Sequence, residues 1–123
     1  MEKVYQGFIQ LIHCGEADDV VSLDGAEPLV RQIQEDVYEY GEFLTVSYFI
    51  SDKEKTIDEL DENLIKQISG AAEVDYGDAY SECTGYLWTT EDLEIGGHDL
   101  QQELFSSAGK FCHLKIIFNK VAP

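Results

Sequence analysis

Hydrophobic and polar positions alternate most clearly between residues 43 and 51. Leu44, Val46, Tyr48 and Ile50 fall on one face of an extended chain, and the other face carries mostly hydroxyl side chains. Successive side chains of a strand point to opposite faces, so this period of two predicts a strand with one buried face. We expect the rest of the domain to be organised around this strand.

Apolar residues recur at steps of three and four in residues 28–40, 56–69 and 99–108, and we predict a helix over each range. The second helix has a capping box that begins at Thr56, and Gly70 can end it. We expect this helix to pack on the strand at 43–51. For the first helix one alternative stays open, because residues 31–36 would also suit the first arm of a hairpin.

Shorter alternating stretches predict the remaining strands. Residues 3–13 are apolar on both faces, which favours a strand inside the sheet. Residues 72–80 alternate carboxylates with apolar residues, which favours an exposed edge strand. Further strands are predicted at 20–23, 84–90, 93–95 and 110–119, with turns at Asp24-Gly25 and Glu91-Asp92 and a break in regular structure at Gly96-Gly97.

This order of elements predicts one α+β domain over residues 1–123. We expect a single mixed or mainly antiparallel sheet of about five strands, with two to three helices packed on it. A chain of 123 residues suits one core and is too short for two. A doubly wound fold would need a stricter alternation of strands and helices.

Charge is the unusual property of this composition. The chain has 25 Asp and Glu residues against 8 Lys and Arg residues, a formal net charge of −17. From 16 to 42 Arg31 is the one basic residue, and none occurs between Lys66 and Lys110. Such a field repels nucleic acid and anionic membranes and attracts cationic surfaces. The alternative is that the charge serves solubility alone.

Combinations of side chains that would support catalysis or metal binding are weak. His13-Cys14 and Cys112-His113 contain zinc-ligand types, but neighbouring residues of a strand face opposite sides, so one of each pair at most can join a site. EF-hand spacing and glycine-rich phosphate motifs are missing from the sequence. We therefore predict a protein that is not an enzyme and has no cofactor and no metal.

The sequence also bears on location. Its three cysteines lack paired spacing, which is typical of a reducing compartment. No apolar run reaches the roughly 18 residues of a membrane helix, and the first residues do not resemble a signal peptide. We expect a cytoplasmic protein without a membrane partner.

The predicted function is to bind and to inhibit or neutralise a basic protein partner, such as a nucleic-acid-binding enzyme, without direct contact to nucleic acid. Carboxylates at i and i+2 of a strand lie roughly 6.6 Å apart, and those at i and i+4 of a helix about 6 Å apart, so both can imitate a row of phosphates. Anti-restriction, anti-CRISPR-like and toxin-immunity proteins share this physics. The candidate residues are Asp58, Asp61, Glu62, Glu73, Asp75 and Asp78.

A second hypothesis treats the acidity as incidental. In a small ligand-binding or accessory domain, aromatic residues around Tyr86 and Trp88 would line a pocket for a neutral or cationic molecule. Plain packing of the sheet onto helices would explain the same aromatic residues. A third hypothesis, acid–base catalysis by paired carboxylates, has no pair that the sequence singles out.

Overall fold

The computed structural model describes residues 1–12, 20–25, 28–54, 65–77 and 89–121. These residues form seven strands and two helices in the described part of the chain. In chain order the elements are β1 Glu2–Ile12, β2 Val20–Leu23, α1 Leu29–Tyr40, β3 Phe43–Ser51, β4 Lys66–Gly77, β5 Thr89–Ile95, β6 His98–Asp99, α2 Leu100–Phe105 and β7 Phe111–Asn119.

The described strands make one sheet in the order β2-β1-β7-β3-β4-β5-β6, and every neighbouring pair is antiparallel. The predicted fold class, about five strands with two to three packed helices, is therefore wrong. Strand dominates the described residues, and α1 is the one long helix among them. The described part has seven strands where about five were predicted, and residues 66–69, assigned to a helix, lie in β4.

Strands β3 and β1 confirm the predictions made for them. The bounds of β3 match the predicted range, and its Leu44, Val46 and Tyr48 are buried. Strand β1 lies between β2 and β7 and is therefore interior, as its apolar faces indicated. The inner face of β7 contributes Cys112, Leu114, Ile116 and Phe118, all of them buried as predicted.

The sheet curls around both helices. Helix α1 contacts β2 and β5, and α2 contacts β2, β5 and β6, although these strands lie near opposite ends of the sheet. The backbone N–H of Val21 in β2 donates to Oε1 of Gln101 in α2, at 3.4 Å, and so links one end of the sheet to this helix. The core lies between the helices and the concave face of the sheet.

Helix α1 confirms the predicted helix over 28–40 and excludes the hairpin alternative. It begins after Pro28 and buries Leu29, Val30 and Ile33. The N–H of Gly41 donates to the carbonyl of Val37 at 2.9 Å and ends the helix. Neither helix in the described ranges has the length and apolar character needed to cross a membrane.

Strand β4 overturns the prediction of a helix over 56–69. Lys66 pairs with Tyr48 and Ile68 pairs with Val46, both across an antiparallel ladder with β3. Gly70 continues the strand: a Cβ there would lie 2.6 Å from Cα of Gly96, so this position needs glycine for a close backbone contact. Residues 56–64 of the predicted helix lie outside the described residues.

Further corrections concern the second half of the chain. Strand β4 lies between β3 and β5, so the predicted edge strand at 72–80 is wrong for its described part. Glu91-Asp92, predicted as a turn, lies inside β5, and of the predicted strand 84–90 the described residues are Thr89 and Thr90. The predicted break at Gly96-Gly97 is confirmed and is a turn between β5 and β6. Helix α2 is shorter than predicted and ends at Phe105.

Candidate functional site

The six carboxylates predicted to bind a partner are only partly located. Glu73 and Asp75 lie on β4. The other four, and the two residues of the predicted aromatic pocket, lie outside the described residues: Asp58, Asp61, Glu62, Asp78, Tyr86 and Trp88. Of the six candidates, Glu73 and Asp75 are therefore the two whose surroundings the structure describes.

The register of β4 and β5 sets carboxylate positions opposite one another. Glu73 pairs with Glu94, and two residues further along Asp75 pairs with Asp92. Residues directly opposite in an antiparallel pair have Cβ atoms about 4.5–5.5 Å apart. We call these two facing pairs, 73/94 and 75/92, the acidic ladder.

The acidic ladder begins on the convex side of the sheet. Glu73 and Glu94 are exposed, whereas Ile95, next in β5, is fully buried under the helices. Since strand positions alternate between faces, Glu73 and Glu94 lie on the face that points away from the core. The ladder ends near an irregularity between Asp75 and Tyr76, where the register shifts.

Nothing in the described part of the chain neutralises Glu73 or Glu94. Basic residues elsewhere pair with other carboxylates: Lys110 lies 3.8 Å from Asp52, and Lys115 lies 4.0 Å from Glu2. Directly opposed like charges destabilise a sheet by roughly 0.2–1 kcal/mol per pair. The ladder therefore costs the isolated protein stability and offers a concentrated negative surface.

Two other carboxylates have structural roles. The Tyr5 hydroxyl on β1 donates to Asp36 of α1, and the Tyr48 hydroxyl on β3 donates to Oε2 of Glu103 of α2 at 3.0 Å. Burial, and then the carboxylate, raises the pKa of both tyrosines, that of Tyr48 to about 12. Both hydroxyls stay protonated at neutral pH and hold a helix against the sheet, so these pairs are not poised for acid–base chemistry.

Cys112 is unsuited to nucleophilic chemistry. Its side chain is fully buried, and burial raises the pKa of the thiol to about 12. A thiol that stays protonated is a poor nucleophile and a poor metal ligand.

His13 and Cys14 lie outside the described residues, and within the described part no group of three or more His, Cys, Asp and Glu side chains is placed to hold a metal ion.

His113 lies on the outer face of β7 as predicted, yet it is 7% exposed. Its Nδ1 lies 3.3 Å from Oε1 of Gln6, while Nε2 is buried without a hydrogen-bond partner in the described part of the chain. Phe8 and Phe111 pack edge to face on the same side of the sheet, with ring centroids 5.4 Å apart. Burial, and to a lesser degree Lys115, lowers the pKa of His113, so its imidazole is neutral.

The exposed side of α1 forms a second surface of interest. An open groove of about 500 Å³ is lined by Arg31, Gln34, Glu35, Tyr38 and Glu39. Tyr38 is 95% exposed, and no sequence pattern distinguishes it from the other six of the seven tyrosines.

Sequence reasoning also missed Glu94 and Asp92 as members of the acidic surface. Asp92-Leu93-Glu94-Ile95 does alternate with a period of two, which was the available signal, but Glu91-Asp92 suggested a turn.

Compared with protein-family models, curated proteins and solved structures, the chain shows no match in any of the three. Its function must be inferred from the surfaces described above.

Proposed function

We propose that this is a non-enzymatic, cytoplasmic acidic protein that binds and inhibits or neutralises a basic protein partner. The observation that carries the proposal is the acidic ladder, in which Glu73 faces Glu94 and Asp75 faces Asp92. A cationic partner would remove the repulsion between these carboxylates. The free energy that this repulsion costs the unbound protein would then favour binding.

The ladder suits a partner whose own site accepts a polyanion. Along each strand its carboxylate positions repeat every two residues, roughly 6.6 Å, which presents charge at regular intervals as a nucleic-acid backbone does. A net charge of −17 would steer such a partner toward the protein and repel nucleic acid itself. The protein would therefore compete with nucleic acid and would not bind it.

The experiment compares two double variants of equal charge. Glu73→Gln with Glu94→Gln removes one rung of the ladder, while Glu42→Gln with Glu54→Gln removes two exposed carboxylates elsewhere. The partner is captured from host lysate at low salt, and its association rate is then measured with each variant. We expect the ladder variant to associate more slowly than the control and to be more stable by up to about 1 kcal/mol.

Competition with duplex DNA and RNA completes the test. The proposal predicts that both polyanions displace the protein and that added salt weakens the complex. Equal slowing by both double variants would show that net charge acts without the ladder. A partner whose binding ignores salt and nucleic acid, or the absence of any basic partner, would reject the proposed function.

A further inference from the structure

The outer side of α1 combines a groove, an exposed aromatic ring and exposed carboxylates. Glu35, Tyr38 and Glu39 are neighbours on one helical face, since residues three and four apart lie next to each other. The Glu35 side chain is 63% exposed, and Tyr38 leaves almost its whole ring in solvent. Tyrosine is normally half-buried in a monomer and is enriched where proteins bind each other.

The same helix already shows how one of its tyrosines holds a cation. The Lys3 ammonium lies 5.2 Å from the ring centroid of Tyr40, within the distance of about 6 Å at which a cation is attracted to an aromatic face. Tyr40 is turned toward the sheet, where it also approaches Phe118. Tyr38, two residues earlier, offers its ring to a cation from outside the molecule.

The end of the helix strengthens the attraction for positive charge. Tyr38 lies in the last turn of α1, and that turn has no basic residue. The C-terminal end of a helix carries partial negative charge, which favours a cation there. Arg31 also lines the groove; its side chain is 17% exposed, and its Nε lies 3.7 Å from Oε1 of Glu35.

We propose that this groove receives an arginine side chain of a basic protein partner. The guanidinium would stack on the Tyr38 ring, and the carboxylate of Glu39 would neutralise its charge, since that of Glu35 already lies beside Arg31. Arginine suits the site better than lysine because its planar group can stack on an aromatic face while it donates hydrogen bonds in its plane. This inference rests on the proposed function and adds a second contact point to the acidic ladder.

The test uses a fluorescent hexa-arginine peptide with blocked ends at physiological salt. A hexa-citrulline peptide, which has the same shape without the charge, is the ligand control. Tyr38→Ala should weaken hexa-arginine binding about two- to five-fold, the equivalent of about 0.5–1 kcal/mol for an exposed cation–π contact. Tyr38→Phe keeps the ring and should bind within two-fold of the native protein, and hexa-citrulline should not bind.

Amide NMR shifts locate the peptide and separate this inference from the proposed function. Shifts at residues 31–39 that are lost in Tyr38→Ala would support it, with circular dichroism showing that the variant is folded. Shifts confined to β4 and β5, with Tyr38→Ala binding normally, would overturn the inference and leave the proposed function standing. If hexa-arginine does not bind the native protein, the inference is rejected, whereas the proposed function is decided separately by the capture and competition experiment.

Discussion

The imidazole of His113 is held between β1 and β3, where only its Nδ1 has a polar partner in the described part of the chain. Burial lowers its pKa, and the nearby Lys115 lowers it further. A protonated ring would bring a charge with an unpaired N–H into this packed region. The neutral ring is therefore part of the native packing.

His113 should make stability depend on pH. An unfolded histidine has a pKa of about 6.5, and the folded value is lower, so the unfolded state binds more protons between the two. The stability due to neutral His113 is present above about pH 6.5 and is lost as the pH falls toward the folded pKa. We expect urea denaturation between about pH 7.5 and pH 5.5 to show a larger loss of unfolding free energy for the native protein than for His113→Gln.

His98→Gln is the matched control for this prediction. It makes the same chemical change at a side chain that is 54% exposed, so the difference between the two variants reports the effect of burying the histidine. Profiles for the native protein and His113→Gln that run parallel over this range would show that the His113 proton is not linked to folding.

Helix α2 depends on the contacts it makes with the rest of the fold. It has six residues, far fewer than the roughly 12–15 that an isolated helix needs in water. Asp99 caps its start by accepting from the N–H groups of Gln101 and Gln102, and Leu100 and Leu104 are fully buried. The Tyr48 hydroxyl adds a hydrogen bond from the sheet to Glu103.

Replacing Tyr48 by Phe should loosen this attachment. We expect Tyr48→Phe to lower the unfolding free energy by about 1–2 kcal/mol, because the hydrogen bond to the Glu103 carboxylate is lost. The loss is no larger because water can partly rehydrate that carboxylate. Urea denaturation measures the loss. Tyr38→Phe makes the same chemical change at an exposed ring and should stay within about 0.5 kcal/mol of the native protein. Equal effects from the two variants would contradict a structural role for the Tyr48 hydroxyl.

The sequence predicts correctly those elements whose conformation follows from a strong local pattern. The alternation in β3 and the spacing in α1, with Pro28 and Gly41 at its ends, are strong enough to be recognised from sequence. Residues 66–69 were misassigned because Ile68 continues a helical spacing from earlier residues, and Gly70 resembles a helix end. What decides their structure is pairing with β3 and the close approach of Gly96, which no local pattern contains.

Some residues of the candidate site can likewise be predicted from the sequence, whereas others require the tertiary structure. Glu73 and Asp75 could be chosen from sequence because they alternate with apolar residues. That Glu94 faces Glu73 depends on the register between two strands, and that Tyr38 is exposed depends on how α1 packs on the sheet. Both are non-local properties of the fold.

Over the whole molecule, the charge should make stability rise with salt. A net charge of −17 on a chain of 123 residues produces self-repulsion that ions screen over about 10 Å at 0.1 M. We expect thermal melts to shift upward between about 0.02 M and 0.5 M NaCl, and the Glu73→Gln, Glu94→Gln double variant to respond less. Melting temperatures that do not change with salt would show that the opposed carboxylates cost little.

The position of β7 has a consequence for how the chain reaches its structure. It follows every other described strand in the sequence, yet among the described strands it is the one that pairs with both β1 and β3 and so joins the β1–β2 pair to the β3–β4–β5–β6 group. The Met1 amino group, for example, donates to the carbonyl of Phe118, 117 positions away. Contacts so distant in sequence cost loop-closure entropy before they contribute stability, which places the chain among slow, millisecond-to-second folders. A nascent chain that has not yet added β7 would expose two unpaired strand edges, each a template for association with another molecule.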